Sequence, residues 1–97
     1  MAGVHPCIVM QNDTGNQYAG TIIVVAITRN LRVAALPIGV RVAAGSAGLD
    51  KDSAVNCSHV YTIDKTRLGR RIGSFGPPVM AKVDKALAIS LGLPVTS

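Results

Sequence analysis

Short β-branched runs fill most of the chain, and a single run at helical spacing closes it. Cys7-Ile8-Val9-Met10-Gln11 reads as a buried strand, ended by the turn formers Asn12-Asp13-Thr14-Gly15-Asn16. Thr21 to Thr28 is β-branched and apolar at successive positions, which predicts a central strand covered on both faces. These two strands are expected to form a hairpin with a long loop. Arg29 to Pro37 is a connector, polar and then apolar. Ile38, Val40 and Val42 alternate with Gly39, Arg41 and Ala43, as in a half-exposed strand. Gly45 to Asp50 is a turn. Ser53–Cys57 and His59–Ile63 are two short strands or one bent one. Asp64 to Gly69 predicts a helical turn with Asp64 as its cap. Arg70 to Phe75 is a last strand candidate.

Pro77 and Pro78 suit the first turn of a helix. After them Val79, Val83, Leu87 and Leu91, with Met80, Ala86 and Ser90, repeat at helical spacing, while Lys82, Asp84 and Lys85 lie off that stripe. Gly92 and Pro94 stop the helix. Five or six short strands followed by one amphipathic helix suit a small, strongly bent sheet or open barrel plugged by the helix. The first buried strand starts after only six residues, so such a barrel is expected to lack one flanking strand here. An unpaired backbone edge is expected there, one that a partner chain could cover.

Composition narrows the chemistry. The chain has 97 residues, which predicts one domain spanning 1–97. The longest apolar run, Ile22 to Ile27, is far short of the ~20 residues of a membrane span, and no signal peptide is visible. A cytoplasmic protein without membrane partners is expected. Ten Lys and Arg face five acids, a net charge of +5, which fits a polyanionic partner. All five acids are Asp, so a Glu base or Glu-based metal site is excluded. Cys7 and Cys57 lie 50 residues apart without zinc-ligand spacing, and reduced thiols are expected. There is no metal cluster, triad or phosphate-cradling glycine loop, and no cofactor is predicted. With no Trp and three aromatic residues, base-stacking platforms are poorly supplied. Polar groups gather at strand ends: His5, Gln11-Asn12-Asp13, Thr28-Arg29, Ser58-His59 and Arg67/Arg70/Arg71.

Those strand ends form a pattern. His5-Pro6 before an apolar strand, then Gln11-Asn12-Asp13-x-Gly15-Asn16, then Thr21-x-Ile23-Val24-x-Ala26-Ile27-Thr28, resembles the MazF/PemK toxins. Leu36-Pro37, Asp52-Ser53, Thr62-Ile63-Asp64-Lys65-x-Arg67-Leu68, Ile72-Gly73 and the helix Val83 to Leu91 continue the match in order. The resemblance implies a mainly β fold with a C-terminal α-helix, an SH3-like small barrel of the CcdB/MazF type. It implies a metal-independent, sequence-specific endoribonuclease that cuts single-stranded RNA through the ribose 2′-OH, leaving a 2′,3′-cyclic phosphate and a 5′-OH. A homodimer is implied, with a cognate antitoxin whose disordered tail occupies the RNA groove. The alternative is a weakened or inactive member that only binds antitoxin or RNA. A gyrase poison of the CcdB type is disfavoured, because its Trp-containing C-terminus has no counterpart here.

Carried over residue by residue, the family's catalytic threonine falls on Thr28 and its catalytic arginine on His5. The second is a departure. An arginine is a fixed cation with a bidentate fork, whereas a histidine is a switchable donor. His5 is expected to act as general acid for the leaving 5′-oxygen, at some loss of phosphate clamping. The expected RNA contacts are Asn12, Arg29, Leu36, Ser53, Ser58 and His59, with Arg32 as a further electrostatic candidate.

Overall fold

The computed structural model describes residues 5–10 and 20–95. Four strands form one antiparallel sheet: β1 (Cys7–Val9), β2 (Thr21–Thr28), β3 (Gly39–Val42) and β4 (Ser53–Asp64), in the order β1-β2-β4-β3. One helix, α1 (Pro77–Leu91), follows. The expected architecture stands, with four strands among the described residues rather than five or six. β2 is central, as its β-branched run requires, and pairs with β1 in the register Cys7↔Ala26 and Val9↔Val24. The predicted turn at 12–16 lies outside the described residues.

Residues 53–64 form one bent strand. β2 pairs Val25 with Val60 but Ala26 with Asn56, so Cys57, Ser58 and His59 bulge out of that ladder. The bulge curls the sheet and separates its two ends. At the β3 end, Val55 and Cys57 are completely buried. At the far end Val60 and Tyr61 are exposed, as is their neighbour Ile23 on β2.

α1 covers the buried end. Val83 and Ala86 are buried and Val79, Met80 and Leu87 pack beside them on the core of Ile8, Val25, Ile27, Val40, Val42, Leu49, Val55 and Cys57. The Cys57 thiol donates to the Val83 carbonyl at 3.8 Å, tying β4 to the helix. Both cysteines are free, Cys57 buried and Cys7 half-buried, and burial raises both thiol pKa values. The two prolines open the helix and Gly92, at φ 70°, closes it, as the sequence predicts. Leu91 departs from the predicted stripe: at 58% exposure it lies beyond the core's edge.

Two local expectations fail. Lys65–Arg67 is a 3-10 turn with Asp64 at its N-cap, but the Asp64 side chain makes no capping bond. Arg70–Phe75 forms no strand. Gly73 interrupts it, and its backbone runs directly against the 3-10 turn Ser46–Gly48 instead of along a strand edge. A Cβ on Gly73 would overlap the Ala47 carbonyl, and one on Gly48 would overlap the Ile72 carbonyl. Such closeness is open only to residues without a side chain, and it leaves no room for a ladder. Among the described residues, no helix is long and apolar enough to cross a membrane.

Candidate active site

The β1–β2 ladder positions the two residues of greatest chemical interest. The Ile27 N–H donates to the Pro6 carbonyl at 3.3 Å, so the pairing of the hairpin extends past the first residue of β1. Continuing the register of Cys7↔Ala26 by two residues sets His5 opposite Thr28. Directly opposed residues of an antiparallel pair hold their Cβ atoms roughly 5 Å apart. Both residues line one cleft of about 420 Å³, together with Pro6, Ile27, Arg29, Leu49, Asp50 and Ser53.

The Thr28 hydroxyl is fixed from behind. It accepts the Asn30 N–H at 3.1 Å, and the Asn30 side chain in turn accepts the Arg32 N–H at 3.2 Å at the start of the turn Leu31–Ala35. A hydroxyl offers one donor and two acceptor positions. With one acceptor position used by Asn30, the Thr28 O–H can donate into the cleft. His5 is exposed. Arg29 stands 3.8 Å from Asp50, with both side chains largely in water. A pair so long and so solvated is weakly held, and an incoming phosphate competes with Asp50 for the guanidinium.

Ser53 is in the same cleft, but it is 4% exposed and its hydroxyl donates to the Lys51 carbonyl at 3.0 Å. Its donor is committed to the chain, which leaves only acceptor capacity. Leu36 is exposed at the C-terminal end of the Leu31–Ala35 turn. Ser58 and His59 are exposed on the β4 bulge, where Ser58 N–H is held by the Asn56 side chain at 3.0 Å and the His59 ring lies 6.3 Å from that of Tyr61. None of these three lines the cleft with His5 and Thr28. Asn12 lies outside the described residues.

The sequence reading missed the opposite wall. The 420 Å³ cleft opens into a larger hollow of about 640 Å³, which shares His5, Pro6, Ile27, Arg29, Leu49 and Asp50 with it. Residues 68–75 line the far side. The signal available was Arg70-Arg71 beside Ile72-Gly73, which reads as a strand until the Gly48–Gly73 contact is known. Among the described residues, no group of three or more His, Cys, Asp or Glu is placed to hold a metal ion.

A family model described as a PemK-like, MazF-like toxin of type II toxin-antitoxin system matches residues 1–91. The chain is similar to a solved endoribonuclease in complex with its cognate antitoxin, from Mycobacterial species, at 28% identity and a TM-score of 0.84. That likeness covers 97% of this chain and 86% of the other. A second endoribonuclease from Mycobacterial species is 31% identical, with a TM-score of 0.80, over 95% of this chain and 84% of the other. The Mycobacterium tuberculosis toxin MazF-mt6 shares the fold at 24% identity and a TM-score of 0.82, over 93% of this chain and 88% of the other.

Proposed function

Because the chain belongs to the PemK-like, MazF-like toxin family of type II toxin–antitoxin systems, we propose that it is the endoribonuclease of such a pair and cuts single-stranded RNA at the cleft between His5 and Thr28. It works as a homodimer in the cytoplasm, restrained by a cognate antitoxin that binds over the RNA groove. One of the similar solved endoribonucleases is held by its own antitoxin. The observation that carries the site is the β1–β2 register, which sets His5 opposite Thr28 in one cleft.

In the proposed reaction the ribose 2′-oxygen forms a bond to the adjacent phosphorus as it gives its proton to solvent. The bond from phosphorus to the 5′-oxygen breaks. His5, when protonated, supplies the proton that the departing 5′-oxygen needs. The products are a 2′,3′-cyclic phosphate and a 5′-OH. Thr28 O–H donates to a non-bridging phosphate oxygen, where negative charge grows. The backbone bond to its oxygen keeps it aimed throughout, so little reorganisation is needed. Arg29 holds a phosphate electrostatically once released from Asp50. No step asks for a metal ion. Asn12, Leu36, Ser53, Ser58 and His59 complete the proposed RNA contacts, with Leu36, Ser58 and His59 acting away from the cut because they do not line this cleft.

Incubating the protein with a long single-stranded RNA in the presence of a chelator tests the reading. Discrete cuts ending in 2′,3′-cyclic phosphate are expected. Binding without cuts would leave the inactive-member alternative standing, and cuts that appear only when divalent metal is restored would overturn the metal-free mechanism.

A further inference from the structure

Two rings stand together on the part of β4 that leaves the core. His59 and Tyr61 are both exposed, Tyr61 at 51%, and their ring centroids lie 6.3 Å apart with the planes tilted by 58°. The fold makes no core of them, although Val24, which Tyr61 opposes on β2, is buried. The register gives their place relative to the cut. Val24, Ala26 and Thr28 alternate onto one face of β2, and directly opposed residues share a face. Tyr61, opposite Val24, and Asn56, opposite Ala26, therefore belong to the face that carries Thr28. Asn56 and Tyr61 are an odd number of residues apart, and in a regular strand they would point to opposite faces. The bulge at 57–59 brings both to one face, and the Asn56 side chain holds it by accepting the Ser58 N–H at 3.0 Å. From Val24 to Thr28 the strand rises ~14 Å, which an extended RNA spans in a few nucleotides.

We propose that Tyr61 and His59 form a base-binding notch, in which one unstacked base of the RNA, a few nucleotides from the cut, lies on the Tyr61 ring and meets His59 at its edge. The proposal deepens the endoribonuclease reading above and rests on it. The tilt of the rings makes a notch rather than a slot: one ring offers its face and the other its nitrogen atoms. Single-stranded RNA is recognised in this way, by bases laid on aromatic rings and hydrogen-bonded at their edges. A neutral imidazole supplies one donor and one acceptor for that edge. Tyr61 touches no reacting atom. It binds substrate and transition state alike, so its loss raises KM and leaves kcat intact.

Two measurements test this. In the first, the cut is mapped on a long RNA, and short RNAs spanning it are made with one abasic nucleotide at each position in turn. Tyr61→Thr keeps strand propensity and removes the ring, whereas Tyr61→Phe keeps the ring. On the intact RNA, Tyr61→Thr should raise KM roughly tenfold with kcat changed by less than about twofold, and Tyr61→Phe should behave as wild type. One abasic position away from the cut should raise the wild-type KM by a similar factor and leave that of Tyr61→Thr no higher. An unchanged KM in Tyr61→Thr, or a raised KM coupled to no single base, overturns the proposal. In the second, tyrosine emission is followed. The chain has no Trp, so the signal that wild type shows and Tyr61→Phe lacks belongs to Tyr61. An RNA carrying a 2′-deoxyribose at the cut should quench it, and the same RNA with the coupled base removed should not. Acrylamide should quench it in the free protein; a signal already shielded there assigns Tyr61 to a contact between copies of the chain and overturns the proposal. A wild-type protein that cuts no RNA defeats the endoribonuclease reading itself, a different result from an active enzyme indifferent to Tyr61.

Discussion

The cleft and the hollow beside it have walls made by different means. His5 and Thr28 stand on a hydrogen-bonded hairpin whose register leaves each residue one place to be, and Thr28 is further held by Asn30. Residues 68–75 form no ladder and keep their place by contact of glycine backbone with the Ser46–Gly48 turn. The first wall is fixed by directional bonds and suits chemistry, where a misplaced donor is expensive. The second is fixed by close packing, where an added methyl group acts on stability first. Substitutions on the first wall should therefore act on rate, and those on the second on stability.

The largest effect belongs to the ladder wall. Thr28→Val keeps the shape and β-propensity of the side chain and removes its hydroxyl. The Asn30 N–H that loses its partner is exposed, so water replaces it and the fold survives. Loss of one transition-state donor should lower kcat roughly 100- to 1000-fold with little change in KM. Single-turnover cleavage of the mapped RNA measures this, and an undiminished kcat would remove Thr28 from the reaction. His5→Arg makes a switchable donor a permanent cation. A guanidinium holds its proton too tightly to give it to the departing 5′-oxygen, so this variant should cut RNA roughly 100-fold more slowly than wild type. An undiminished rate would show that His5 does not donate that proton.

The packed wall should respond in the other way. Gly73→Ala forces a Cβ into the Ala47 carbonyl, so one backbone must move. Stability should fall by about 1–3 kcal/mol, which lowers Tm by roughly 5–15 °C in a domain of this size. Gly69→Ala is the control, since a Cβ there meets nothing within 4 Å. Equal melting of the two variants would mean that the glycine contact does not hold the wall.

The same division governs what the sequence disclosed. The ladder wall was legible because strand periodicity and a turn-rich gap determine a hairpin, and a hairpin brings residue pairs together at computable positions. The helix was legible from its spacing, its opening prolines and Gly92. What failed depended on contacts between distant segments. Arg70–Phe75 has enough apolar character for a strand, but whether it pairs depends on Gly73 meeting Ala47, 26 residues away. The continuous course of β4 was left open because Cys57 dips to the core between polar neighbours. Only the pairing with β2 reveals that as a bulge within one strand. Ser53 looked available as a polar strand end; its burial and its bond to Lys51 are tertiary facts. Leu36, Ser58 and His59 are expected RNA contacts by family resemblance alone, and they do not line the cleft.

The smallest expected effect concerns the strap that joins the two walls. Residues 43–52 link β3 to β4 and contribute Leu49 and Asp50 to both parts of the cleft. Asp52 fastens the strap at its base. Its carboxylate accepts the Ala44 N–H at 2.8 Å and the Arg41 guanidinium at 3.1 Å. The backbone bond, and then the Arg41 bond, hold its pKa below the usual carboxylate value. A group whose pKa is lower in the folded chain binds fewer protons there than when unfolded. Its stabilisation is therefore present above the ordinary aspartate range near ~3.9, and is lost as pH falls through the folded value. Melting Asp52→Ala beside wild type from neutral to acid pH should show a small Tm deficit that closes at the acid end. Because the side chain is 44% exposed, added salt should narrow the part due to Arg41 and spare the part due to Ala44. A deficit that persists undiminished below that range would mean that the charge of Asp52 contributes nothing, and that its shape alone fastens the strap.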